Sequence, residues 1–72
     1  MDNYVIFVQA NTGNEPTIRS QLNGNVTAIL VVGKTQNEVR LRVEFTLQQR
    51  NNAVTILTQL ENASILTIDR TS

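Results

Sequence analysis

From Val39 to Gln48 the chain reads VRLRVEFTLQ, and apolar and polar residues alternate without a break. Successive side chains of a β-strand point to opposite faces, so this run builds a strand with two different sides. Val39, Leu41, Val43, Phe45 and Leu47 form one side; Arg40, Arg42, Glu44, Thr46 and Gln48 form the other. A helix, with its 3.6-residue period, would scatter both sets around its axis. One side must therefore meet a core and the other must stay open, and the rest of the chain has to supply the cover.

Two further segments suit strands. Tyr4 to Ala10, YVIFVQA, is β-branched and aromatic and apolar at nearly every position, which fits a strand covered on both faces. Val26 to Val32, VTAILVV, is a second such run, and the polar stretch GKTQN (33–37) joins it to the alternating strand as an antiparallel hairpin. Two segments suit helices. Pro16 to Leu22 places Ile18 and Leu22 on one helical face, with Pro16 in the first turn and Gly24 as a left-handed cap. After RNN (50–52), whose Asn side chains can cap a helix start, Ala53, Ile56, Leu57, Leu60 and Ala63 form one apolar stripe. Ser64 to Asp69, SILTID, reads as a last strand before a polar tail.

The order is β-α-β-β-α-β, two strand–helix–strand halves meeting at a central hairpin. This is the pattern of the ferredoxin-like split βαβ fold, an α+β class. Right-handed crossovers put both helices on one face of a four-stranded antiparallel sheet, with the first and third strands central. The helix-facing side of the third strand is then Val39, Leu41, Val43, Phe45 and Leu47. Arg40, Arg42 and Glu44 point to the open face, which the first two strands supply with apolar residues.

Seventy-two residues make one domain, 1–72, which can equally be a piece of a longer protein. A domain of this size buries only roughly 60% of its unfolded surface and often relies on a disulfide, a metal or a partner chain. There is no Cys and no His. That removes disulfides, cysteine zinc sites, the commonest general base and the commonest transition-metal ligand. Oligomerisation remains, and a homodimer through the open face, with Arg40, Arg42 and Glu44 as interface residues, is the expected partner. Six basic and six acidic residues balance, whereas a nucleic-acid binder normally carries a basic excess. Nucleic acid is thus not the favoured partner. No stretch approaches the ~20 apolar residues of a membrane span, so the domain itself is expected outside the bilayer.

No pair of carboxylates sits at a catalytic spacing. Glu38 and Glu44 share one strand face but lie roughly 20 Å apart along it. Without His to activate a hydroxyl, no catalytic residue, metal site or cofactor is assigned, and the chain is read as a non-enzyme. The loop Asn11, Thr12, Gly13 and Asn14 is the candidate small-molecule site, because it runs into a helix N-terminus whose free N–H groups favour anions. One glycine without a phosphate-binding fingerprint also serves an ordinary connecting loop.

The βαββαβ order and the loop ANTGNEPTIRSQL resemble small regulatory domains of the ACT type, whose turn after the first strand often lines a small-molecule site between paired domains. Gly13, Ile18 and Leu22 carry that match; the acidic residue and the Pro-Gly order of the family's turn are missing. The second half, VRLRVEFTLQQRNNAVTILTQLENASILTIDR, is similar in layout to the cytoplasmic C-terminal domain of the MgtC/SapB membrane proteins. The resemblance implies a regulatory or oligomerisation domain of a membrane protein linked to magnesium adaptation, lying on the cytoplasmic side of the inner membrane. The alternative is a free-standing RNA- or protein-binding module, because Arg40 and Arg42 lie on the sheet face that some four-stranded domains use to read RNA.

Overall fold

The computed structural model describes residues 3–70; Asp2 and the end of the polar tail lie outside them. The elements in chain order are β1 (Asn3–Asn11), a single 3-10 turn (Thr12–Asn14), α1 (Glu15–Leu22), β2 (Ala28–Lys34), β3 (Glu38–Thr46), α2 (Arg50–Asn62) and β4 (Thr67–Ile68). They form a small α+β unit. The strands make one antiparallel sheet in the order β2-β3-β1-β4, so β1 and β3 are central, as the sequence leads one to expect.

The long β1–β3 ladder runs over nine residue pairs, from Asn3 opposite Thr46 to Asn11 opposite Glu38. Residues directly opposite in a ladder share a face. Tyr4, Ile6, Val8 and Ala10 therefore lie with Phe45, Val43, Leu41 and Val39. On this inner face Val8, Val39, Leu41, Val43 and Phe45 are essentially sealed from water. Ile18 and Leu22 of α1, Ala53, Leu57 and Leu60 of α2, and Leu66 complete the same cluster, so both helices cover the same face. Each such Val, Leu or Phe contributes about 1.5–3 kcal/mol on burial, before the entropy of ordering is set against it. Tyr4 stacks on Phe45 at 5.9 Å between ring centres, and the Arg50 guanidinium covers the Tyr4 ring at 5.3 Å.

The expectation that β1 is covered on both faces is not met. Val5 and Phe7 lie on the outer face, opposite Glu44 and Arg42, and no helix packs over them. An apolar run reads the same whether one side or both are buried. The alternating pattern of β3 also stops one pair short. β3 ends at Thr46, and Leu47, expected in the core, is 55% exposed. The cause is local: the Thr46 N–H donates to Gln49 Oε1 at 2.9 Å, and the Gln49 N–H donates back to Thr46 Oγ1 at 3.3 Å. This reciprocal pair has the form of a capping box and turns the chain into α2. The Asn side chains of RNN make no cap bond; the helix begins at Arg50 with Gln49 in the capping position.

The remaining differences are at element ends. α1 starts one residue early, at Glu15, with Pro16 in its first turn. β2 runs two residues later than read, over Ala28–Lys34, and a bulge between Val31 and Gly33 shifts its register on β3. β4 pairs only Ile68 with Val8 and Thr67 with Gln9. The helix stripe holds for Ala53, Leu57 and Leu60 and partly for Ile56, but Ala63 is exposed because α2 has already ended there. Gly24 is left-handed, as expected, at φ 82°. It is the third residue of a type II turn after α1, closed by the Asn25 N–H on the Leu22 carbonyl at 2.9 Å.

The end of α2 uses a non-glycine residue in that region. Ser64 has φ 62°, the Ile65 N–H reaches the Leu60 carbonyl at 2.9 Å, and the Ser64 N–H reaches the Glu61 carbonyl at 3.0 Å. This is a Schellman closure, a position that favours glycine. Ser64→Gly is expected to stabilise the fold by about 0.5–1 kcal/mol, and Gly24→Ala to destabilise it by about 1 kcal/mol or more. Phe45→Ala should cost about 3–5 kcal/mol, whereas Leu47→Ala should stay within about 0.5 kcal/mol. Urea unfolding of the four variants measures all of these; a large loss at Leu47 would contradict its exposed placement.

Candidate functional site

The outer face of the sheet is built by register. One row across the strands is Phe7, Arg42 and Leu30; the next is Val5, Glu44 and Ala28; a third is Gln9, Arg40 and Gly33. Apolar residues thus line both flanks, with a charged ridge from β3 between them. Phe7 is 37% exposed and Leu30 46%. The interface residues expected from the sequence, Arg40, Arg42 and Glu44, all lie on this ridge.

The ridge is neutralised within the chain. Arg42 Nη1 donates to Glu44 Oε2 at 2.6 Å, two residues along the same strand face. Arg40 forms an ion pair with Asp69, just beyond β4, and its guanidinium lies 5.7 Å from the centre of the Phe7 ring on the way. Gln9 Nε2 donates to Glu38 Oε2 at 3.0 Å. Exposed pairs of this kind contribute about 0–1 kcal/mol each, so their effect here is to fix side chains rather than to hold the fold. The Arg40–Asp69 contact joins residues 29 apart in sequence, and no local spacing announces it.

The loop Asn11, Thr12, Gly13 and Asn14 closes β1 and makes the 3-10 turn before α1. Thr12 and Asn14 are already engaged within the chain. The Thr12 N–H donates to the Asn37 carbonyl at 3.0 Å and Thr12 Oγ1 to the Thr35 carbonyl at 3.1 Å, tying the loop to the β2–β3 turn. Asn14 Nδ2 donates to the Ile65 carbonyl at 3.1 Å, tying it to the segment before β4. Gly13 is exposed, with open space where a side chain would stand. Asn11 and Asn14 border an open cleft of about 280 Å³ whose other walls include Gln9, Glu38 and Ser64. Glu38 is the single charged side chain on it. The loop and the ridge are therefore two separate places, joined only through Gln9 and Glu38.

Two acidic groups outside the ridge clamp elements together. Glu61, near the end of α2, receives both Arg70 guanidinium nitrogens at 2.7 and 2.9 Å and the Ile68 N–H at 3.0 Å. These bonds, Arg70 first, hold its carboxyl down from the ordinary 4.5 to about 2. Glu15 at the start of α1 receives Arg19 Nε at 2.9 Å and Lys34 Nζ at 3.3 Å, which likewise lower its pKa. Neither clamp is among the expectations from sequence. The four-residue spacing of Glu15 and Arg19 on a helix was the available signal for one of them; Glu61 and Arg70 offered none.

Among the described residues no three acidic, His or Cys side chains gather as a metal site, and no helix is long and apolar enough to cross a membrane. Compared with protein-family models, curated proteins and solved structures, the chain matches none.

A carboxyl held below its unfolded value stabilises the fold above that value and loses the contribution as it is protonated. Between pH 4.5 and about 2 the unfolded chain binds the extra proton at residue 61, so stability rises with pH across that window. Glu61→Gln is expected to flatten the acid limb of stability without removing it, because Glu15 acts in the same direction. Urea midpoints measured from pH 2 to 6 test this; an unchanged slope in Glu61→Gln would count against the clamp.

Proposed function

We propose that the chain is a non-catalytic regulatory or oligomerisation domain of the ferredoxin-like, ACT type, and that it acts as a homodimer joined through the open sheet face. The observation that carries the reading is that face itself. Val5, Phe7 and Leu30 stay exposed on a sheet whose other side carries both helices, and the charges between them are paired inside the chain. Charges already paired cost less to bury against a partner than free ones. Zero net charge removes general repulsion between two copies. A stable specific interface takes roughly 800 Å² from each partner, about a sixth of the 4720 Å² surface of the chain. The order β2-β3-β1-β4 with both helices on one side supports the ferredoxin-like assignment. The likeness in layout to the C-terminal domain of MgtC/SapB proteins is the ground for a regulatory role beside a membrane protein on the cytoplasmic side, with the Asn11–Asn14 loop as the place for a small ligand.

A second reading has one observation in its favour. Phe7 is an exposed aromatic on a central strand with Arg42 beside it, the kind of platform on which an RNA base stacks. Against it, Arg40 already lies over that ring and both arginines are neutralised by carboxylates.

Sedimentation of the intact chain at high micromolar concentration is expected to give a dimer, and Phe7→Asp to give a folded monomer. A wild-type monomer would sink the first reading. A single-stranded RNA pool at low salt is expected to stay unshifted; a shift that Phe7→Ala abolishes would establish the second.

A further inference from the structure

The two outer strands differ in how their edges are closed. β4 is only two residues long, but β2 is seven, and residues 28–32, AILVV, carry no charge. Leu30, Val31 and Val32 are all exposed. A strand of this composition at a sheet edge is a template for another strand.

The ladder pattern fixes which groups it offers. The Thr12 N–H bonds to the Asn37 carbonyl, so the odd-numbered residues of β3 turn their backbone groups to β1. The even-numbered ones, Arg42 and Glu44 among them, face β2 and meet Leu30 and Ala28. The backbone groups of Ile29 and Val31 therefore point away from the sheet, along the free edge.

One of those groups is occupied. Arg19 Nη1 donates to the Ile29 carbonyl at 3.2 Å. The same guanidinium gives its Nε to Glu15, and Glu15 also takes Lys34 Nζ at 3.3 Å from the far end of β2. Glu15 on α1 thus reaches Lys34 at the end of β2 directly, and through Arg19 it reaches the Ile29 carbonyl near the strand's start. Beyond it, the bulge at Val32 breaks the line of the strand, a second feature that makes an edge a poorer template.

We infer that the Glu15–Arg19–Lys34 clasp is an edge guard that keeps β2 from pairing antiparallel with β2 of a second copy. The second copy is the occupant the edge fits. Antiparallel pairing of identical strands about a two-fold axis at Leu30 sets the outward backbone groups of Ile29 against those of Val31 in the second copy, and the uncharged run 28–32 brings no like charges together. This surface is separate from the open face, and the two associations are distinguished by different substitutions.

The test is sedimentation of the intact chain and its variants over a concentration series, with circular dichroism to confirm folding. Arg19→Ala is expected to tighten self-association by about tenfold or more, since it uncovers a backbone acceptor and withdraws a charge from the edge. Arg19→Met keeps the aliphatic stem, should do the same, and carries the comparison if Arg19→Ala fails to fold. Adding Val31→Pro should reverse the effect, because the Val31 N–H serves no bond within the sheet while its loss blocks the new ladder. Adding Phe7→Asp should leave the effect in place. The inference is overturned if a folded Arg19 variant associates no more tightly than the wild type, or if its added association survives Val31→Pro and disappears with Phe7→Asp.

Discussion

The nine-pair ladder between β1 and β3 is the constraint on which everything else rests. It joins the first strand of the chain to the third across a separation of 27 to 43 residues, and its two faces have opposite characters. The inner rows, Tyr4–Phe45 to Ala10–Val39, are apolar on both strands. A slip by one residue turns the slipped strand over: for β1 it would place Val5, Phe7 and Gln9 against the helices, and for β3 it would put Arg42 and Glu44 into the core. Register is thus set by the cost of burying those charges. Once it is set, α1 and α2 have only one apolar surface on which to lay Ile18, Leu22, Ala53, Leu57 and Leu60.

That same register composes the outer face. Because β3 alternates strictly and β1 does not, one side of the central pair is uniformly apolar and the other mixed. Nothing in the packing of the core requires Val5, Phe7 or Leu30 to be apolar. A face needed only for solvation could carry Thr, Lys or Glu at these places, and a few exposed apolar residues alone would mean little. Here they flank a ridge whose arginines are held in place by Glu44 and Asp69. Ordered, neutralised charges between apolar flanks are the ground for proposing that this face meets a second copy.

The sequence made the core legible because period-2 and helical spacing are signals every residue in a segment repeats. Ile18, Leu22, Val39, Leu41, Val43, Phe45, Ala53, Leu57 and Leu60 are all buried where their spacing puts them. It failed where one local interaction ends a pattern. Leu47 continues the alternation perfectly, yet the Thr46–Gln49 box has already turned the backbone; the Thr-x-x-Gln spacing was readable, but the stronger periodic signal masked it. β4 is shorter than SILTID suggests, because Leu66 is apolar as part of the core cluster and Ile65 packs against that cluster, and only Thr67 and Ile68 enter the sheet. The candidate site was legible in part. Parity alone puts Arg40, Arg42 and Glu44 on the open face. Their partners depend on strand order and on a long side chain crossing Phe7, and the Asn11–Asn14 loop proved to be tied by Thr12 and Asn14 to two other segments.

The edges and the face bear on one another. A four-stranded sheet can associate through either edge or through its bare side, and what closes one route favours the others. At β2 the Arg19 guanidinium sits on an outward-facing carbonyl and a bulge interrupts the strand. At the far side β4 is two residues long and is pinned to α2 by Glu61, which takes the Ile68 N–H as well as Arg70. Both lateral routes are thus restricted by carboxylates that reach back to a helix. The outer face carries no helix: Arg40 crosses Phe7 on its way to Asp69, and Val5, Phe7 and Leu30 remain more than a third exposed. In the homodimer proposed above the bare side is the joining surface, and the clasp at Arg19 is inferred to keep that association separate from pairing at the β2 edge.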